Sequence, residues 1–153
     1  MAAYARVAVA RSGAGFTVSA NSVALAAIAS FPVMAGGAGG TVTHFGIGYE
    51  ALGGANGLAF FGTVTPNISV VPGVTPKLDT TAGIVVQATS DAMTAAAANA
   101  LLLLFFNNTD WAVVGDAAGL QNSAAAGSLF LSLHTTPGPG EAGIQTTNEI
   151  GYT

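Results

Sequence analysis

Residues 129–135 read LFLSLHT. Leucine falls on every second position, at Leu129, Leu131 and Leu133, with Phe130, Ser132 and His134 between. A two-residue period marks a strand with one buried face, because successive side chains leave a strand on opposite sides. The same habit recurs at residues 4–10 (YARVAVA), 41–49 (TVTHFGIGY), 58–64 (LAFFGTV), 67–71 (NISVV) and 82–89 (AGIVVQAT). Pro or Gly punctuates these runs, as expected of short strands joined by turns. In the 41–49 run, alternation predicts Val42, His44, Gly46 and Gly48 on one face. Thr43, Phe45, Ile47 and Tyr49 are predicted on the other.

SGAG at 12–15 reads as a tight turn and FTVSA at 16–20 as a return strand, so residues 4–20 read as a hairpin. VALAAIASF at 23–31 fits either helix or strand. Its second half is read as strand, stopped at Phe31-Pro32. The pattern changes at residue 93. MTAAAANALLLLFF at 93–106 is rich in Ala and Leu, and no Gly or Pro occurs through Asp110. A helix is predicted over about 94–106, followed by a helical turn in TDWAVVG at 109–115 that Asp110 could cap. The prediction is one domain over 1–153, mainly β: an antiparallel β-sandwich with one flanking helix.

Only 7% of residues are charged and the net charge is −4, against about 25% charged in an ordinary domain. Three bases, Arg6, Arg11 and Lys77, cannot build the basic patch that nucleic acid needs. A surface of Ser, Thr, Asn, Gly and Ala repels neighbours weakly, which favours a subunit of a homo-oligomer. The chain has no Cys, so disulfides and thiolate metal sites are excluded. No secretory leader is read, and the 93–106 run is short of the ~20 residues that span a bilayer. A soluble domain with no membrane partner is the expectation.

Four patterns bear on chemistry. Gly138-Pro139-Gly140-Glu141-Ala142-Gly143 matches G-x-G-x-x-G after a strand. Pro139 removes a donor, Glu141 adds an anion and no helix start follows, so a structured loop is the better reading. His44 and His134 are the two histidines and lack ligand-like spacing, so no metal site is assigned. No G-x-S-x-G elbow occurs, and the seven acids share no clear face for glycoside cleavage. No catalytic or cofactor-binding residue is assigned, and the chain is read as non-enzymatic.

Three residues are given structural roles. Trp111 is expected to anchor the helix end in the core, with an exposed sugar-stacking platform as its alternative. Arg6, mid-strand in a chain poor in bases, is expected to pair with a nearby acid; Glu149 is the favoured partner, being only a few residues away across the end-to-end connection that the resemblance described next implies.

Read from the C-terminus into the N-terminus, the motifs Leu133-His134-Thr135, Pro139-Gly140-Glu141-Ala142-Gly143, Thr147-Asn148-Glu149, Tyr152-Thr153 and Tyr4-Ala5-Arg6-Val7 follow one another, with residues 41–48 downstream. Together they resemble a family of small tailed-bacteriophage virion proteins of the tail fibre or capsid decoration type. The resemblance covers nearly the whole chain, in circular order. It implies that 1–91 is the C-terminal part and 93–153 the N-terminal part of the family order, with Asp91, Ala92 and Met93 as the junction of an engineered circular permutant. The new ends, 1–3 and 152–153, are then expected close together on one exposed face. It further implies a structural virion protein without cofactors, binding copies of itself, as a trimer by analogy, and other virion proteins. The alternative is a receptor- or glycan-binding fibre module.

Overall fold

The computed structural model describes residues 4–52, 57–80, 93–140 and 142–151. Among these, the chain forms β1 (Val7–Ala10), β2 (Phe16–Ser19), β3 (Ser22–Leu25), β4 (Ala29–Ser30), β5 (Gly40–Gly48), β6 (Leu58–Val70), β7 (Lys77–Leu78), α1 (Ala95–Asn107) and β8 (Ser128–His134). Four strands make one antiparallel sheet in the order β1-β8-β5-β6, and the pairs β2-β3 and β4-β7 make two further ribbons. One apolar core joins them. Leu129, Leu131 and Leu133 of β8 meet Phe45 and Ile47 of β5, Phe16 of β2, Leu25 of β3, Leu78 of β7, and Leu102 and Phe106 of α1. The architecture is a mainly-β, sandwich-like fold with a flanking helix.

The leucine period of β8 acts as predicted: all three leucines are buried. β8 is central, paired on one side with β1 and on the other with β5. The predicted 4–20 hairpin does not form. β1 pairs with β8 in the register Val7↔Leu131 to Ala10↔Ser128, and β2 pairs with β3 instead. The reason lies in the turn at 12–15. Gly15 N and Phe16 N both donate to Ser12 O at 2.9 Å, which winds the chain over β1 rather than beside it. A Cβ on Gly15 would lie 2.1 Å from Ala10 O, so glycine is needed for this crossing. Phe16 then enters the core, fully buried. The reversal falls later, between Ser19 and Ser22, where Ala20 takes a left-handed φ of 52°.

Two irregularities shape β5 and β6. Opposite β6, the register steps from Val42↔Ile68 to His44↔Thr63. The extra residues of β6 bulge out around Pro66, where an edge strand tolerates a missing donor. The two strands predicted at 58–64 and 67–71 are thus one long strand interrupted at proline. The same step corrects the predicted faces of β5, because Val42 joins Phe45 and Ile47 in the core.

Helix α1 starts where predicted. Thr94 is its N-cap and Thr94 Oγ1 accepts from Ala97 N at 3.2 Å. Asn108 closes it with φ 53°. The helix buries Ala98, Leu102 and Phe106, a four-residue spacing that lines one stripe. Phe106 meets Phe16 edge-on at 5.0 Å and Phe60 at 5.3 Å. No helix among the described residues is long and apolar enough to cross a membrane. The strand read at 82–89 and the junction residues Asp91 and Ala92 lie outside the described residues. Met93, the third junction residue, is exposed just before the helix cap.

Candidate functional site

The face of the sheet away from the leucines is covered by the loop that follows β8. Proximity here depends on glycine. Gly46 and Gly48 carry no side chain, which leaves room for the larger groups of the neighbouring strand and loop. A Cβ on Gly46 would lie 2.6 Å from Ser132 Oγ and 2.8 Å from His134 Nε2. One on Gly48 would lie 2.2 Å from Gln145 Oε1. Ser132, His134 and Gln145 are all fully buried in this space.

His134 holds the loop. Its Nδ1 lies 2.8 Å from Thr147 O, a group that can only accept, so Nδ1 carries the proton. Its Nε2 is then the acceptor for Ser132 Oγ, at 2.8 Å. Burial lowers the His134 pKa below the usual histidine range, against the opposing pull of the Thr147 carbonyl. Both ring nitrogens are thus engaged, and neither Ser132 nor His134 reaches the surface. The pair has no open face on which to attack an ester or amide. His44 is the cross-strand partner of His134, and its Nδ1 lies 2.7 Å from Thr43 Oγ1. The sequence separates the two histidines widely; the β5–β8 register brings them together. No group of three His, Asp or Glu that could hold a metal occurs among the described residues.

Arg6 closes the loop's far end. Its Nε donates to Glu149 Oε1 at 2.8 Å and its Nη2 to Glu149 Oε2 at 2.7 Å. Its Nη1 donates to Glu50 O at 2.9 Å. The Arg6 side chain is 3% exposed and that of Glu149 12%. The Glu149 hydrogen bonds raise the Arg6 pKa further. The Tyr4 hydroxyl accepts from Leu133 N at 2.9 Å, and burial, with Glu149 beside it, holds that phenol above its ordinary range.

The G-x-G-x-x-G stretch belongs to the same loop. Gly138 sits against the His44 ring, Gly138 N donates to Thr135 O, and Asn148 Nδ2 donates to Gly138 O. No helix follows it among the described residues, so it lacks the helix N-terminus on which a phosphate would rest.

A second feature is a surface groove of about 430 Å³ beside α1, lined by Arg11, Tyr49, Phe105 and residues 125–129. Arg11 spends its guanidinium on the helix end. Nε donates to Phe105 O at 2.7 Å, Nη2 to Leu104 O at 2.9 Å and Nη1 to Ala126 O at 3.1 Å. Tyr49 is 54% exposed and meets Phe105 edge-on at 6.1 Å. Sequence reasoning missed both Arg11 and Gln145: one is a base beside a turn, the other a polar residue in a loop without period.

Trp111 is not the core anchor expected of it. It is half-buried in a loop, where its backbone exchanges hydrogen bonds with Leu120 at 2.9 and 3.0 Å. Phe106 anchors the helix end instead. Asp110, expected to cap a helical turn, accepts from Asn122 N and so staples the base of the same loop.

Compared with protein family models, curated proteins and solved structures, the chain gives no significant match.

Proposed function

We propose that this chain is a non-enzymatic structural protein of a phage virion, a capsid decoration or tail appendage subunit that self-assembles. The observation that supports self-assembly is the outward face of α1. Residues 95–107 contain no charge, and Asn99 and Asn107 are their only polar side chains, so the helix lacks the charged face of a solvent-facing helix. Yet its core contact uses one stripe, and Leu101 is left 41% exposed. Leu101, Leu104 and Phe105 line a further hollow that adjoins the Arg11 groove. A second copy, equally poor in charge, would cover this face without stranding an ion. The virion assignment rests on the motif resemblance, and so does the trimer.

The test is mass in solution. Sedimentation equilibrium is expected to give an oligomer, with three copies as the expected number. Leu101→Lys should shift it to monomer with unchanged far-UV circular dichroism. A monomer mass at high concentration overturns the self-assembly reading. Electron microscopy of the purified protein then distinguishes rings from fibres.

A glycan-binding fibre module is the second reading, favoured by exposed Tyr49 at the mouth of the groove. It requires that Tyr49→Ala abolish binding to a glycan array while leaving the mass unchanged.

A further inference from the structure

The segment between α1 and β8 is tied by hydrogen bonds along its length, yet it ends in an exposed apolar tip. At its base Asn108 Nδ2 donates to Ser123 O and Ser123 N to Asn108 Oδ1, each at 2.9 Å. Asn122 N donates to Asp110 Oδ1 at 2.6 Å. Trp111 and Leu120 exchange backbone hydrogen bonds above them. Asp116 holds the turn: Ala118 N donates to its Oδ1 at 2.8 Å and Gly119 N to its carbonyl at 3.0 Å. On this frame Val113 is 87% exposed, and Asp116, three residues on, is exposed as well. A single exposed valine is ordinary. A valine held beside an acid on a loop already ordered is prepared for binding, because little ordering entropy is left to lose.

The complement is the groove of about 430 Å³ beside α1. Tyr49, Phe105 and Leu129 give it apolar walls, and Arg11 is its one charged lining residue. Val113 does not fill the groove of its own chain, since it is exposed and lines none of the walls. A guanidinium has five N–H donors. Arg11 gives three of them to the carbonyls of Leu104, Phe105 and Ala126, all neutral acceptors. Among the described residues no carboxylate pairs with Arg11 and no base pairs with Asp116. The chain thus carries an apolar tip with an unmatched acid and an apolar groove with an unmatched base.

We propose that the tip of one copy enters the groove of a second copy, with Val113 against Tyr49 and Phe105 and the Asp116 carboxylate on the remaining Arg11 N–H groups. The contact rests on the self-assembly reading above and names the two surfaces that meet. A carboxylate on a guanidinium forms the strong, charge-assisted kind of hydrogen bond, and the match of charges fixes which segment enters. Tip and groove are different patches of one chain, so the contact is heterologous and its repetition closes into a ring or runs on as a filament.

The chain has no Cys, so introduced cysteines report on this contact alone. Ser128 is exposed and lines the groove. Val113→Cys and Ser128→Cys in one chain, oxidised under assembly conditions, are expected to give covalent dimers and larger species on a denaturing gel. Either cysteine alone should run as a monomer. Asp116→Asn keeps an acceptor for Ala118 N but loses the charge. It should weaken association about ten-fold in sedimentation equilibrium, with unchanged far-UV circular dichroism and a weaker salt dependence than the parent. Covalent dimers from Val113→Cys alone overturn the proposal, because tip then meets tip. So does a double-cysteine chain that assembles but forms no covalent dimer; self-assembly then stands and uses other surfaces. A parent that is monomeric at high concentration removes the self-assembly reading, and this contact with it. Asp116→Asn associating as tightly as the parent overturns the pairing with Arg11.

Discussion

Arg6 and Glu149 form a two-point ion pair in which each carboxylate oxygen receives its own guanidinium N–H. The pair joins the segment entering β1 to the segment leaving the loop after β8. A third N–H, to Glu50 O, ties both to the end of β5. The two side chains are almost wholly buried, so the energetics are those of desolvated charge. Removing one partner strands the other. Arg6→Ala is expected to cost about 3–5 kcal/mol in urea unfolding. Arg6→Lys should recover only part of this, since an ammonium cannot fork across both oxygens. The double replacement Arg6→Met with Glu149→Leu should be far milder than either single change. A single-substitution cost under about 1 kcal/mol would place the pair among exposed salt bridges instead.

Gly46→Ala tests whether the glycines of β5 are spacers for the buried polar groups. The new methyl would meet Ser132 Oγ at 2.6 Å, Leu58 Cδ1 at 2.7 Å and His134 Nε2 at 2.8 Å. All three belong to buried residues, so little can move aside. A loss of about 1–3 kcal/mol is expected, as for overpacking in a filled core. Gly73→Ala is the control for glycine itself: its Cβ would meet nothing within 4 Å, although φ is +85°. It should cost only the strain of a left-handed alanine, about 1 kcal/mol. Equal losses at the two positions would remove the packing argument.

What could be read from the sequence was what is local. The leucine alternation of β8 and the threonine-capped start of α1 are decided by residues next to one another. The failures have one physical form. Pairing β1 with β8 rather than β2 depends on Gly15 lying over Ala10, a contact that no period announces. The face of Val42 depends on a bulge in a different strand, at Pro66. Trp111, expected to anchor the helix end, is displaced from that role because Phe106 already fills the place beside Phe16. The pairing of Arg6 with Glu149 was legible in two steps: a base in a chain with three of them calls for an acid, and Glu149 is the nearby one when the C-terminal motifs are read on into the N-terminal ones. Gln145 was not legible, since its environment is built by glycines distant in sequence.

Arg11→Ala should loosen the C-terminal turn of α1. A helix end leaves its last carbonyls without partners, and here Arg11 satisfies those of Leu104 and Phe105. The positive charge also sits at the negative end of the helix dipole. A global loss of about 2–3 kcal/mol is expected for these charge-assisted bonds. The diagnostic readout is hydrogen exchange. Amides near Thr109 and Gly127 should exchange faster, while those of β5 and β8 change only with global stability. A uniform change across the chain would mean that Arg11 serves overall packing and not the helix end.

His134 should make stability fall in mild acid. Its pKa is lowered in the folded protein because burial disfavours the imidazolium, while an unfolded chain titrates near ~6.5. Well above that value the ring is neutral in both states and stability is at its plateau. As pH falls through ~6.5 the unfolded chain takes up a proton that the folded protein refuses. The unfolded state is then favoured, by up to about 1.4 kcal/mol per pH unit for one site. The loss continues until the folded pKa is reached and then levels off. Glu149 and the Thr147 carbonyl favour the protonated ring, whereas Arg6 and His44 oppose it, so burial sets the direction. Urea unfolding at intervals from pH 8 to 5.5 stays above the range where ordinary carboxylates titrate. The parent should lose stability across that window, and His134→Gln, though less stable throughout, should show a flatter profile. Parallel profiles would assign the acid sensitivity elsewhere. Improved stability of the parent at pH 5.5 would reverse the sign and exclude a neutral, buried His134.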